Sequence, residues 1–231
     1  MERRYYSEVE LEYEISKKIQ GSYSWMMLGL LITFGFVFGA LFVPEIAVLA
    51  YRIYYVLVIA MVIVAFSMTL LINKLSSVAL KGLFIAYSVI MGLFLSPLTF
   101  IYDNYSIISI LIGSAAMFGS MSLYGYLTRD NLQGYAKYLF GALIGMIVLS
   151  LFNMYFRSNG VDTFISILGV LVFAIYAAVD TQRIKVSISE LYFSGNEEII
   201  NKVQIIGALN LYVDFINLFL YLLRIFGKSR D

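Results

Sequence analysis

The chain contains neither cysteine nor histidine. That excludes disulfides, thiol chemistry, the usual zinc sites and catalysis by Cys–His or Ser–His–Asp arrangements. It also excludes the ordinary near-neutral proton switch, so proton chemistry in that range falls to carboxylates in unusual surroundings. Proline occurs only at Pro44 and Pro97, and charged residues fill only 13% of the 231 positions. A soluble domain carries roughly 25%. The net charge of +1 offers little to a nucleic acid, and no nucleic-acid partner is expected.

What is present is apolar. Hydrophobic residues make up 61% of the chain, and the mean hydropathy is +0.86. A helix needs about 20 mostly apolar residues to cross a bilayer. Seven stretches qualify: 24–43, 53–72, 82–102, 106–127, 135–156, 163–182 and 204–226. The expected protein is an all-α membrane protein, with a cytoplasmic N-terminal segment over 1–23, a seven-helix membrane domain over 24–226 and a short tail over 227–231. The first segment mixes Glu2, Glu8, Glu10, Glu12 and Glu14 with Arg3, Arg4, Lys17 and Lys18. No short apolar core with a cleavage site follows, so it is not read as a signal peptide.

Most connections are short, which predicts antiparallel neighbours. The exception is 183–203, "RIKVSISELYFSGNEEIINKV", read as a long polar loop. Small residues inside the spans (Gly29, Gly35, Gly39, Gly113, Gly119, Gly141 and Gly145) predict close helix contacts. Pro97 predicts a kink in the third span.

Basic residues set the expected orientation. Arg3, Arg4, Lys17, Lys18, Lys74, Lys81, Arg129, Lys137, Arg183, Lys185 and Lys202 fall on one side, against Arg52 and Arg157 on the other. The N-terminus is therefore expected in the cytoplasm. Arg224, Lys228 and Arg230 run against the rule if all seven spans cross. Either the earlier topology overrides them, or the last segment dips in and returns.

Two carboxylates stand within or at the edge of a span: Asp180 in "VFAIYAAVDTQRI", and Asp214 in "ALNLYVDFINLFLYLLRI". A charge at the bilayer centre costs about 2.5–3.5 kcal/mol on insertion scales, so such residues face the interior and are functional by default. On the last span Gly207, Asn210, Asp214, Asn217, Tyr221 and Arg224 recur at steps of three and four and form one polar stripe. This is the pattern of an inner helix lining a polar path. Ser166, Gly169, Phe173, Tyr176, Asp180 and Arg183 form a weaker stripe on the sixth. The bland reading is a pair of structural aspartates, each satisfied by backbone or a base. If the last helix starts inside the polar connection, the two carboxylates share a level; if it starts at residue 204, they miss. If they meet, they share a proton rather than both ionise, and sense pH without histidine. Deprotonated, they suit a cation. Calcium wants six to eight oxygens; Asn210, Asn217, Thr181 and water are the further donors, enough for weak, transient occupancy by Asp180 and Asp214.

"AAVDTQRI" followed by "IIGALNLYVDFINLFLYLLRI" resembles the closing signature of the Bax inhibitor-1, or transmembrane Bax-inhibitor-motif, family, most closely its bacterial branch. The likeness extends over nearly the whole chain and is weaker before residue 160. It implies six helices around a central last helix, in the plasma (inner) membrane of a bacterium. It also implies a pH-dependent calcium leak, with Asp180 and Asp214 as sensor and gate and no tightly bound cofactor. Calcium, protons and the lipid bilayer are the expected partners. The family's basic residue at the inner end of the second helix maps onto Lys74, with Arg183 as competitor. Val179 departs from the pattern, since an aromatic residue commonly precedes the first aspartate.

Three rivals remain. Aspartyl intramembrane proteases also use two late aspartates, but their "GxGD" and Pro-Ala-Leu sequences are absent here, and the chain is read as not an enzyme. A secondary transporter lacks a second charged site for a coupled substrate. The main alternative, implied by some bacterial relatives, is a regulatory protein that binds other membrane proteins, such as a membrane protease, and transports nothing. Its contact surfaces would be the N-terminal segment and the 183–203 loop.

Overall fold

A computed structural model describes the backbone of residues 8–193 and 195–230, and the side chains from Glu12 onward. Glu2, Arg3 and Arg4 of the charged segment, and Asp231 of the tail, lie outside the described residues. The described chain is helical, and its one β-bridge joins Tyr102 to Ser229. Among the described residues six helices are long and apolar enough to cross a membrane, and seven spans result if a bent pair counts as one.

The first helix, α1 (Glu8–Phe42), is one continuous element of 35 residues. The boundary expected at residue 23 falls within this helix. No helix breaker intervenes before Pro44, so the charged turns extend the span rather than precede it. The expected second span is instead α2 (Glu45–Arg52) and α3 (Tyr54–Leu70), which meet at 77°.

α4 (Ser77–Leu95) breaks before the short α5 (Leu98–Ile101), at Pro97 as expected. Proline has no N–H to give the carbonyl four residues back. The Ser96 hydroxyl takes that role, donating to Leu93 O at 2.7 Å. α6 (Asn104–Leu127) is capped by Asp103, which accepts from Ser106 N. A 3₁₀ turn over Leu132–Tyr135 leads into α7 (Ala136–Phe156).

The long polar loop does not exist. α8 (Asn159–Tyr192) and α9 (Glu197–Phe226) run through nearly all of 183–203 and leave a short turn. Ile184 and Ile188, one turn apart, are buried there, so low hydropathy marks helix outside the apolar layer rather than a loop. Gly195 (φ 65°) makes the turn, a conformation that glycine adopts without steric cost.

α9 packs against α1, α4, α6 and α8, while α3 packs chiefly on α4 and α7 on α8. Contacts at the two ends settle the path. Lys18 of α1 pairs with Glu197 at the start of α9. Glu198 accepts from Ser77 N and Ser77 Oγ at the start of α4 (2.6 and 2.7 Å). At the far end Arg230 N donates to Ile101 O (2.9 Å), and the Arg230 guanidinium donates to Thr99 O (2.7 Å). α9 is thus continuous and does not return. The tail docks on the α5–α6 junction, at the end opposite Lys18.

The glycine expectations mostly fail. Of the seven, only Gly29 is pressed by a neighbour, with Phe84 and Ser88 under 3 Å from where a Cβ would stand; the other six have nothing within 4 Å. The close crossings use other glycines. At Gly125 a Cβ would lie 2.1 Å from Ala178 O, and at Gly92 2.9 Å from Thr33 O. Both obstacles are backbone and cannot swing aside. Gly125→Ala is expected to force α6 off α8 and to cost about 1–3 kcal/mol. Thermal unfolding followed by circular dichroism should show a clear drop in midpoint for Gly125→Ala and none for Gly113→Ala.

Candidate functional site

The site lies along the α8–α9 seam. Gly207 of α9 receives Ile184 of α8, and Gly169 of α8 receives Tyr221 of α9, each under 3 Å from where a Cβ would stand. These two contacts fix the register of the antiparallel pair. Asp180 then falls level with Asn210, and Asp214 level with Tyr176, one helical turn or about 5.4 Å further along. The early start of α9, at Glu197, is what allows this. The two polar stripes face each other over most of their length.

Asp180 and Asp214 are each only 5% exposed. They lie within electrostatic reach of one another, and Tyr176 lies within reach of both. Their partners differ. The Arg183 guanidinium donates to Asp180 Oδ1 at 2.7 Å, from the next turn of the same helix. Asp214 Oδ2 is buried with no hydrogen-bond partner. Of the two basic candidates, then, Arg183 makes the ion pair. Lys74 is exposed just beyond α3, and among the described residues it forms no ion pair with Asp180. Its neighbour Ile72 nevertheless lines a cavity of about 160 Å³ together with Asp180, Arg183 and Asn210.

The expected polar path is divided. Asn210 belongs to that small cavity at the Lys18 end. Asn217, Tyr221 and Arg224 line a second cavity of about 670 Å³ at the tail end. Between them Phe173 stacks on Tyr221, with ring centroids 5.9 Å apart, and Asp214 sits in the intervening wall. Of the further calcium donors, Asn210 shares the small cavity with Asp180, and the other two are turned elsewhere. Asn217 Nδ2 donates to Val213 O of its own helix, and Thr181 turns toward α1. Among the described residues no group of three acidic side chains is positioned to hold a metal ion.

Two neighbours of Asp180 carry roles that the sequence reading did not assign. Thr181 Oγ1 donates to Ala177 O, so Tyr23 OH must donate to Thr181 (2.7 Å each), which ties α1 to α8. Gln182 holds the α6–α7 connection with both ends of its amide: Oε1 accepts from Leu132 N (2.8 Å) and Nε2 donates to Asp130 O (2.7 Å). The signal was a glutamine beside an aspartate in an apolar helix, since a buried amide needs partners. Gln182→Leu strips partners from both backbone groups and is expected to cost about 1–3 kcal/mol. Hydrogen exchange at the Leu132 amide should accelerate at least several-fold; unchanged protection would mean that the turn is held by other contacts.

The arrangement is that of a polytopic helical membrane protein with a buried, unequally partnered carboxylate pair between its last two helices. The chain belongs to the Bax inhibitor family: the family model described as "Inhibitor of apoptosis-promoting Bax1" matches residues 15–231. It is 39% identical over 211 residues to the inner membrane protein YbhL of Escherichia coli K12, covering 90% of each chain. A protein of Borreliella burgdorferi is 41% identical over 176 residues, covering 74% of this chain and 75% of that one. A protein of Deinococcus radiodurans is 34% identical over 211 residues, covering 91% and 89%. The membrane-spanning helices and the likeness to an inner membrane protein support an integral protein of the bacterial inner membrane.

Proposed function

We propose that the protein is a pH-dependent cation leak, with calcium as the transported ion, gated by Asp180 and Asp214. The observation that carries this reading is the partnering of the two carboxylates. Two buried acids in electrostatic contact have one base between them, and one acid has an oxygen with no partner. Such a pair holds a proton more easily than a second charge. With the proton in place, the α8–α9 seam stays closed. Its loss leaves a like-charge contact inside the bundle, which favours separation of the helices and entry of water and a cation. In this reading α9 is the inner helix that the others surround; it is the most buried of the spans, at 61% of its central window. The Lys18 end, which collects most of the basic residues, faces the cytoplasm, and the tail faces outward.

No catalytic step is assigned. In the regulatory alternative the 183–203 contact surface would be helix ends and a turn rather than a loop: the segment is folded into α8 and α9 and buries Ile184, Ile188 and Ile200, while Phe193 and Glu197 stay exposed.

The test is calcium entry into dye-loaded liposomes holding the purified protein, followed as the pH is stepped from mildly acidic to mildly alkaline. Wild-type flux is expected to rise with pH, because deprotonation opens the seam. Asp180→Asn and Asp214→Asn are each expected to flatten or displace that dependence. Flux no greater than that of empty liposomes would sink the reading and leave the pair with a structural or partner-binding role.

A further inference from the structure

At the tail end α7, α8 and α9 part around the 670 Å³ cavity. Arg157, just past the end of α7, and Arg224, in the last turn of α9, both line it. Neither guanidinium forms an ion pair among the described residues, where the ion pairs are Lys18–Glu197 and Arg183–Asp180. The acid in the same wall is engaged: Asp162 Oδ1 accepts from Asn153 Nδ2 at 2.8 Å. The cavity therefore carries two unpaired positive charges beside one hydrogen-bonded carboxylate.

The corner that presents Arg157 is built with care. Arg157 is the one described non-glycine residue with positive φ (51°), a conformation that costs an ordinary side chain energy and calls for support. The buried Asn153 supplies that support. Its carbonyl oxygen accepts from Arg157 N (2.8 Å), its Oδ1 accepts from Ser158 N (2.9 Å), and its Nδ2 donates to Ser158 O (3.1 Å). The same corner opens the 34-residue α8, whose N-cap Ser158 makes no side-chain cap bond. The free N–H groups and the positive end of that helix add to the field of the two arginines.

The rim is apolar and open. Ile147, Leu151 and Met154 of α7 line the cavity while 56, 62 and 77% exposed. They lead from the arginines into the apolar layer of the span. A ligand matched to both features has a negative head and a hydrocarbon tail.

We propose that this cavity is a binding site for an anionic phospholipid, with its phosphate between Arg157 and Arg224 and an acyl chain along Ile147 and Leu151. Bidentate guanidinium–phosphate geometry suits the head, and the exposed α7 face suits the tail. The site stands whether or not the bundle conducts ions.

Native mass spectrometry of the full chain, released from detergent after incubation with phosphatidylglycerol or phosphatidylcholine of identical acyl chains, tests it. Wild type is expected to retain the anionic lipid in clear preference. Arg157→Gln and Arg224→Gln, both at exposed positions and checked for folding by gel filtration, should each weaken retention about tenfold. Arg52→Gln, an exposed arginine at the same end, should retain the lipid as wild type does. Equal retention of the two lipids, or wild-type retention by both cavity variants, would overturn the site. Inorganic phosphate alone raising the unfolding midpoint as much as the lipid would overturn the lipid as its ligand and leave a free anion in its place.

Discussion

The close crossing of α8 and α9 is the contact on which the other features depend. It exists because a glycine on each helix admits a side chain from the other: Gly207 takes Ile184, and Gly169 takes Tyr221. Between lipid-exposed helices there is little hydrophobic drive toward association, so close packing of this kind is what holds a pair together. Two such contacts at separated levels leave no freedom to slide. A slip of one turn would lift Tyr221 out of its notch and carry Asp214 away from Asp180. Register and electrostatics are thus one constraint.

The surrounding helices are fastened to this seam by hydroxyl groups in a recurrent way. Thr181 of α8 donates to its own helix and accepts from Tyr23 of α1. Thr33 of α1 donates to Ser88 O of α4 at 2.9 Å, which leaves Tyr212 of α9 as the donor to Thr33 at 2.6 Å. In each case a tyrosine reaches across to a threonine whose own proton is committed elsewhere. In an apolar medium an unmade hydrogen bond is costly, so these contacts fix which helices lie together and at what height. Aromatic packing closes round the second of them, with Phe84 and Tyr87 edge-on to Tyr212 at centroid distances of 5.7 and 5.8 Å.

The carboxylates and their stripes were legible in the sequence, because a polar residue repeating at three and four positions in an apolar helix has one face to occupy. The break at Pro97 was legible for an equally local reason. Helix limits were not. Hydropathy reports where lipid is, whereas the helices run past it at Glu8–Phe42 and across 183–203, where a short turn containing Gly195 separates α8 from α9. The packing glycines were also hidden. Gly125 and Gly35 look alike in a sequence, and only the facing helix decides that one meets Ala178 and the other meets nothing. Arg183 and Lys74 could not be ranked either. The local pair wins in the structure, because Arg183 lies on the next turn of the same helix and needs no tertiary contact to reach Asp180.

That local pairing has a consequence for Asp214. Arg183 is spent on Asp180 and is 42% exposed at its side chain, so it leans toward solvent rather than toward the deeper acid. Asp214 has a buried oxygen with no donor, and on its helix it stands between Asn210, which lines the small cavity, and Asn217, which lines the larger one. A full charge at that depth costs about 2.5–3.5 kcal/mol if uncompensated, comparable with the loosening of one close helix contact. In the proposed function that cost is relieved by water entering the seam from one of these cavities, rather than by rearrangement of the well-packed Tyr212 side of α9. The closed packing and the unequal carboxylates meet in the same element, α8 against α9, and it is on that element that the proposed proton response rests.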